Sequence, residues 1–140
     1  MNSITDYEAS LEKITISDVI IFQEINKKKS SFSNEETLQQ IKKSSCTLIK
    51  FPSIFFHYDC YDKSLIELQN RETINNVTIQ VSQIINKYKT KILMHTYNHP
   101  NIFLYLEILK EICTLLNIDF FTKEEYSKLI DNKVDIGLPG

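Results

Sequence analysis

Two hydrophobic spacings alternate along this 140-residue chain. Short unbroken apolar runs read as strands, and stripes recurring every three to four residues read as helices. Val19-Ile20-Ile21-Phe22 is a compact β-branched run ending at the polar Gln23. Its continuous apolarity predicts a strand buried on both faces. Cys46 to Phe51 is a second strand candidate, stopped by Pro52. The apolar run resumes at Ile54-Phe55-Phe56 and then meets the polar, aromatic stretch His57 to Asp62. Ile92 to Met94 is a third strand candidate.

Helices fall between these runs. Ser3 to Lys13 reads as a short helix, with Thr5 and Glu8 at capping-box spacing. Ser33 and Glu36 form a second such pair, opening a helix to about Ser44 with Leu38 and Ile41 inward. Thr73 to Lys89 is the cleanest amphipathic pattern: Ile74, Val77, Val81, Ile84, Ile85 and Tyr88 share one stripe. Asn98 or His99 is placed to cap the next helix, with Pro100 in its first turn and an end near Asn117. Thr122 and Glu125 form a third capping box, with Phe121 and Tyr126 at staple positions, and that helix ends near Asp131. The β-α-β-α order predicts an α/β fold: a small, mostly parallel sheet flanked by helices, in one domain over residues 1–140.

Composition narrows the class. Apolar residues make up 42% and charged residues 24%, ordinary for a globular chain. A net charge of -2 gives no reason to expect nucleic-acid binding. The basic stretches Lys27-Lys28-Lys29 and Lys42-Lys43 lie near acidic residues and read as a solvated loop and a helix face. Three cysteines with no CxxC, and no signal-peptide pattern, lead us to expect a reduced, cytoplasmic setting. No apolar run approaches the roughly 20 residues that span a bilayer. The two glycines, Gly137 and Gly140, lie at the C-terminal end, so neither a P-loop nor a GxGxxG turn is present.

Candidate chemistry gathers where strand-like runs end. Gln23, Ser53, His57 and His99 each follow one, and in open α/β sheets ligands bind outside the carboxyl ends of the strands. If the three runs are parallel neighbours, these side chains face one crevice. At a helix N-terminus the dipole favours a neutral His99, able to take a proton from a nucleophile. The competing reading has Asn98 capping the helix and His99 bonding locally. His57 with Cys60, and His95 with His99, offer groups that zinc accepts. Pro100 keeps His95 and His99 from lying one turn apart inside a helix, and neither pair has finger spacing, so no metal is expected. Asp59 and Asp62 read as loop-capping acids. Cys46 and Cys113 read as small buried residues, with Cys60 in a polar setting.

Three short segments, in order, resemble a known family. Asp18-Val19-Ile20-Ile21-Phe22-Gln23, Phe51-Pro52-Ser53-Ile54-Phe55-Phe56 and Thr96-Tyr97-Asn98-His99-Pro100 are similar to motifs of the capsular-polysaccharide biosynthesis family called WcbI. The resemblance covers roughly Asp18 to Asn117. It implies a coenzyme A-binding acyltransferase that moves an acetyl group from acetyl-CoA to a hydroxyl of a capsule sugar. Carried over by motif, His99 and Asn98 are the catalytic candidates, as base and as amide donor or cap. Gln23, Ser53 and His57 are the candidates for binding the cofactor. The family's Gly-Asn-Cys-Gln segment has no counterpart in this sequence, and His57-Tyr58-Asp59-Cys60 replaces its Gly-Tyr-X-Pro. Those departures give a second expectation: the C-terminal part of a larger domain, acting as a non-catalytic remnant or interaction module. That module would have an open sheet edge for a partner chain or a second copy.

Overall fold

The computed structural model describes residues 3–23 and 34–131. It is a mixed helix and strand structure around a small parallel sheet. Helix α1 (Ser3–Ile16) leads into strand β1 (Val19–Gln23). Helix α2 (Glu35–Ile41) leads into β2 (Thr47–Phe51), which pairs parallel to β1 from Val19↔Thr47 to Gln23↔Phe51. Among the described residues this parallel sheet has two strands. The third run does not join it: β3 (Met94–Thr96) pairs antiparallel with β4 (His99–Pro100) in a separate ribbon.

β1 is not buried on both faces. Phe22 is buried, but Ile21 is 47% exposed. Among the described residues β1 has one strand beside it and is covered mainly on the Phe22 side. β2 has a second neighbour of a different kind. The amides of Thr78 and Ile79 donate to the Lys50 carbonyl, and the Lys50 amide donates to Thr78 Oγ1. This irregular segment stands where a third strand would pair. It also interrupts the helical pattern that runs from Thr73 to Lys89.

The expected helix from Thr73 to Lys89 is two helices. Helix α3 (Tyr61–Asn75) stops at Asn76, which adopts the left-handed conformation with φ 51°. Asparagine tolerates that region better than other side chains that carry a Cβ. The chain then crosses β2 at Thr78 and re-enters as α4 (Val81–Lys87). Ile74, assigned to the buried stripe, is 74% exposed. Most of α3 had no counterpart in the hydrophobic pattern, because its buried stripe is Ser64, Leu68 and Glu72. Two of these three are polar.

Helix α5 (Ile102–Leu116) ends at a second left-handed asparagine, Asn117, and α6 (Lys123–Asp131) follows. The core joins β2 (Ile49), its exit segment (Ile54, Phe56), α3 (Leu68), α4 (Val81, Ile84, Ile85), the β3 approach (Leu93, Met94) and α5 (Leu104, Ile108, Ile112).

Caps explain where the helices begin. Asn34, not Ser33, caps α2 by accepting from the Glu36 amide; Ser33 and the basic loop lie outside the described residues. Helix α1 begins at Ser3, ahead of the proposed cap Thr5, whose side chain is also outside them. The Thr122–Glu125 box forms as expected, with each side chain accepting from the other residue's amide. In its staple, Phe120 is the ring that meets Tyr126, with centroids 5.9 Å apart. No helix among the described residues is long and apolar enough to cross a membrane.

Candidate functional site

The segment leaving β2 organises the site. Residues 52–57 run outside regular structure, with Ile54 and Phe56 buried in the core. In an extended chain, neighbours point to opposite faces. Ser53, Phe55 and His57 therefore share the outer face, with Ser53 half-buried and the other two exposed. Gln23, at the end of β1, is tied to the start of this segment: its Nε2 donates to the Pro52 carbonyl at 2.8 Å. Gln23 and Ser53 thus stand together at the carboxyl ends of the two parallel strands.

The β3–β4 turn docks on the other end. The Phe56 amide donates to the Tyr97 carbonyl at 2.7 Å. The Tyr97 ring lies nearly parallel to the His57 imidazole, with centroids 5.1 Å apart and planes 3° apart. It also stacks on Phe55 at 6.1 Å. Arg71, from α3, extends the column. Its guanidinium lies 5.3 Å from the Phe55 centroid, and its Nη2 donates to the Phe55 carbonyl. Burial lowers the Arg71 pKa from its ordinary value. The result is a half-open column of one guanidinium and three flat rings.

Two hydroxyls hold the frame. Ser64 Oγ accepts from the His57 amide and donates to its carbonyl, fixing the backbone there; Cys60 Sγ lies 3.6 Å from the same hydroxyl. Tyr58 Oη accepts from the Leu93 amide at 2.8 Å, just before β3. Burial raises the Tyr58 pKa, so the hydroxyl keeps its proton and can donate to the Lys91 carbonyl.

His99 is set by its neighbours in the turn. Thr96 Oγ1 donates to Asn98 Oδ1 at 3.1 Å and lies 2.5 Å from His99 Nδ1. A threonine hydroxyl has one hydrogen. With that hydrogen on Asn98, the oxygen can accept, and the contact is then made by the His99 tautomer that carries its proton on Nδ1. That tautomer has its free lone pair on Nε2. Asn98 likewise keeps its NH₂ for another acceptor.

Some expectations fail here. Asn98 and His99 do not cap α5: Asn101 does, with Oδ1 accepting from the Leu104 amide at 3.1 Å and Nδ2 donating to the Ile92 carbonyl. Pro100 is buried in β4, not in the first helical turn. His99 therefore precedes the cap by two residues, and the helix-dipole argument does not apply to it. The crevice between three parallel strands is absent. The carboxyl ends of two strands and an antiparallel turn take its place.

Tyr97 brings His57 to the turn that carries Asn98 and His99, while Gln23 and Ser53 meet at Pro52. Phe55, Arg71, Thr96 and Tyr97 join the site beyond the residues expected from the sequence. The unbroken apolar run Ile54-Phe55-Phe56 gave no sign that Phe55 faces outward, and Arg71 reaches the site from a helix the pattern did not reveal. Cys60 is exposed, Cys46 buried and Cys113 partly buried. Asp62 sits in the first turn of α3, where the helix dipole favours a carboxylate. Among the described residues no group of three His, Cys, Asp or Glu side chains could hold a metal ion.

No family model, curated protein or solved structure matches the chain.

Proposed function

We propose that the protein transfers an acyl group from a coenzyme A thioester to a sugar hydroxyl, with His99 as general base. The observation that carries this reading is the Asn98–Thr96–His99 chain, which leaves Nε2 free to take a proton when Nδ1 carries the ring hydrogen. Nε2 removes the acceptor's hydroxyl proton as its oxygen attacks the thioester carbonyl. The free amide NH₂ of Asn98 donates to the developing oxyanion. Collapse of that intermediate breaks the carbon–sulfur bond, and the departing thiolate takes the proton from His99. The donor-side residues fit a nucleotide thioester on one observation: the His57–Tyr97–Phe55 column offers exposed flat rings on which a base can stack. Ser53 and the Oε1 of Gln23 are the polar groups for the thioester's amide-bearing arm.

The test is thiol release from acetyl-CoA, followed with a thiol reagent across a panel of sugars. The reading predicts sugar-dependent release that falls about a hundredfold or more in His99→Gln. Absence of release together with absence of any acetyl-CoA-induced rise in melting temperature contradicts it, because a ligand that binds the folded state must stabilise it.

A second reading rests on a different observation. Among the described residues β1 pairs only with β2, and Ile21 is 47% exposed on that edge strand. Unpaired strand edges are templates for strand addition. In this reading a second copy of the chain pairs along β1. Light scattering on the eluting protein would then give a dimer that Ile21→Lys converts to monomer. A wild type that stays monomeric at high concentration contradicts it.

A further inference from the structure

A cavity lies between α5, α6 and the segment after α4, and of its lining only Lys91 also meets the site above, through its backbone carbonyl. Its volume is about 480 Å³, within the range of small-molecule sites. Three features define it. The first is charge: among the described residues, Lys91, Lys110 and Lys123 line it against one carboxylate, Glu107. Lys110 and Lys123 form no salt bridge with a described residue. The second is flat apolar surface. Phe103, Phe120 and Phe121 contribute rings to the wall, and Lys91 Nζ is held 4.1 Å from the Phe103 centroid.

The third feature is a polar floor with a defined sense. Glu107 is buried in α5 and accepts from Tyr88 Oη at 2.8 Å and from Tyr126 Oη at 3.2 Å. Each phenol spends its one hydrogen on the carboxylate. Both phenol oxygens are left as acceptors only. The cavity thus asks for a hydrogen-bond donor at the tyrosine oxygens, a flat apolar body beside the phenylalanine rings and negative charge at the lysines.

We propose that this cavity binds a planar aromatic anion carrying an N–H donor, of the size of a nucleoside monophosphate. The aromatic body stacks against the phenylalanine rings, its amino group donates to the tyrosine oxygens, and its phosphate pairs with Lys110 and Lys123. Nothing in this assignment depends on the acyl-transfer reading.

Adenosine monophosphate is the probe, measured by calorimetry on the full chain beside adenosine and inorganic phosphate. The monophosphate is expected to bind at least about tenfold more tightly than either half, and more weakly as salt rises. Lys110→Glu combined with Lys123→Glu should weaken it at least about tenfold. Both lysines are exposed, so the variant should keep the wild-type melting temperature. His57→Ala should bind the probe like wild type, which separates this cavity from the ring column. No saturable heat with the monophosphate, or an affinity that the double charge reversal leaves unchanged, overturns the proposal. So does an affinity lost in His57→Ala.

Discussion

Glu72, near the end of α3, caps the helix that follows it through Ser82. Its carboxylate accepts from the Ser82 amide at 2.9 Å and from the Ser82 hydroxyl. The cap position of α4 is held by Gln80, whose side chain makes no capping bond, so the cap comes from a neighbouring helix. Both residues are buried. Glu72→Ala leaves the Ser82 donors without this acceptor, and we expect a cost of about 1–3 kcal/mol in urea unfolding. An unchanged midpoint would show that water or another group satisfies Ser82.

The same carboxylate gives a pH dependence with a defined sign. Burial raises the Glu72 pKa above the usual carboxylate range, outweighing the Ser82 hydrogen bonds that lower it. Between its unfolded and its folded pKa, the folded state holds more protons. Stability from this group is therefore greatest at acid pH and is lost as pH rises through that window. Glu72→Gln does not titrate, so wild type should lose ground to it from about pH 4.5 upward. A difference between the two that is flat with pH would contradict this.

Tyr126 and Tyr88 share one buried partner. Tyr126→Phe removes the donor to Oε2 of Glu107, and we expect a loss of about 1–3 kcal/mol. Tyr88→Phe should cost a similar amount, and the double variant should depart from the sum of the two, because both bonds end on one carboxylate.

An alkaline titration reads the same group. Burial, followed by the charge of Glu107 and its hydrogen bond, raises the Tyr126 pKa well above the phenol range. For Tyr88 the hydrogen bond to Glu107 comes first, then burial. In the ultraviolet signal of tyrosinate these two should ionise after the exposed tyrosines. Both pKa values are raised on folding, so their contribution is complete below about pH 10 and is lost as pH climbs above it. A single unresolved step at the ordinary phenol value would contradict the Glu107 pairing.

The start of α5 separates two asparagines. Asn101→Ala should cost about 1 kcal/mol, the usual loss for a removed N-cap. Asn98→Ala should leave thermal stability nearly unchanged, since its amide serves the turn rather than the helix. Reversal of that order would restore the expected cap at Asn98.

What the sequence disclosed follows the same physics. The runs at Val19 and Cys46 were legible as strands because each is a short β-branched or aromatic stretch bounded by polar residues or proline, and their parallel pairing followed from the helix between them. The Thr122–Glu125 box was legible because it is local. Helix α3 was not, because a stripe of Ser64, Leu68 and Glu72 has no apolar signature. The break at Asn76 was hidden because the apolar spacing continues across it, while the crossing over β2 is decided by Lys50, far away in sequence. At the candidate site, the strand ends that carry Gln23 and Ser53 were legible, while the segment of His99, expected as a helix start, is an antiparallel turn. The contacts joining them pass through Tyr97, Thr96 and Arg71, and depend on a turn whose docking no local pattern encodes.

The most direct test of the account is the tautomer of His99, read from the nitrogen chemical shifts of its neutral ring by ¹⁵N NMR. The Asn98–Thr96–His99 chain predicts a proton on Nδ1 and a bare Nε2, with that preference lost in Thr96→Val. A neutral ring protonated on Nε2 in the wild-type protein would contradict it, and would remove the base from the proposed acyl transfer.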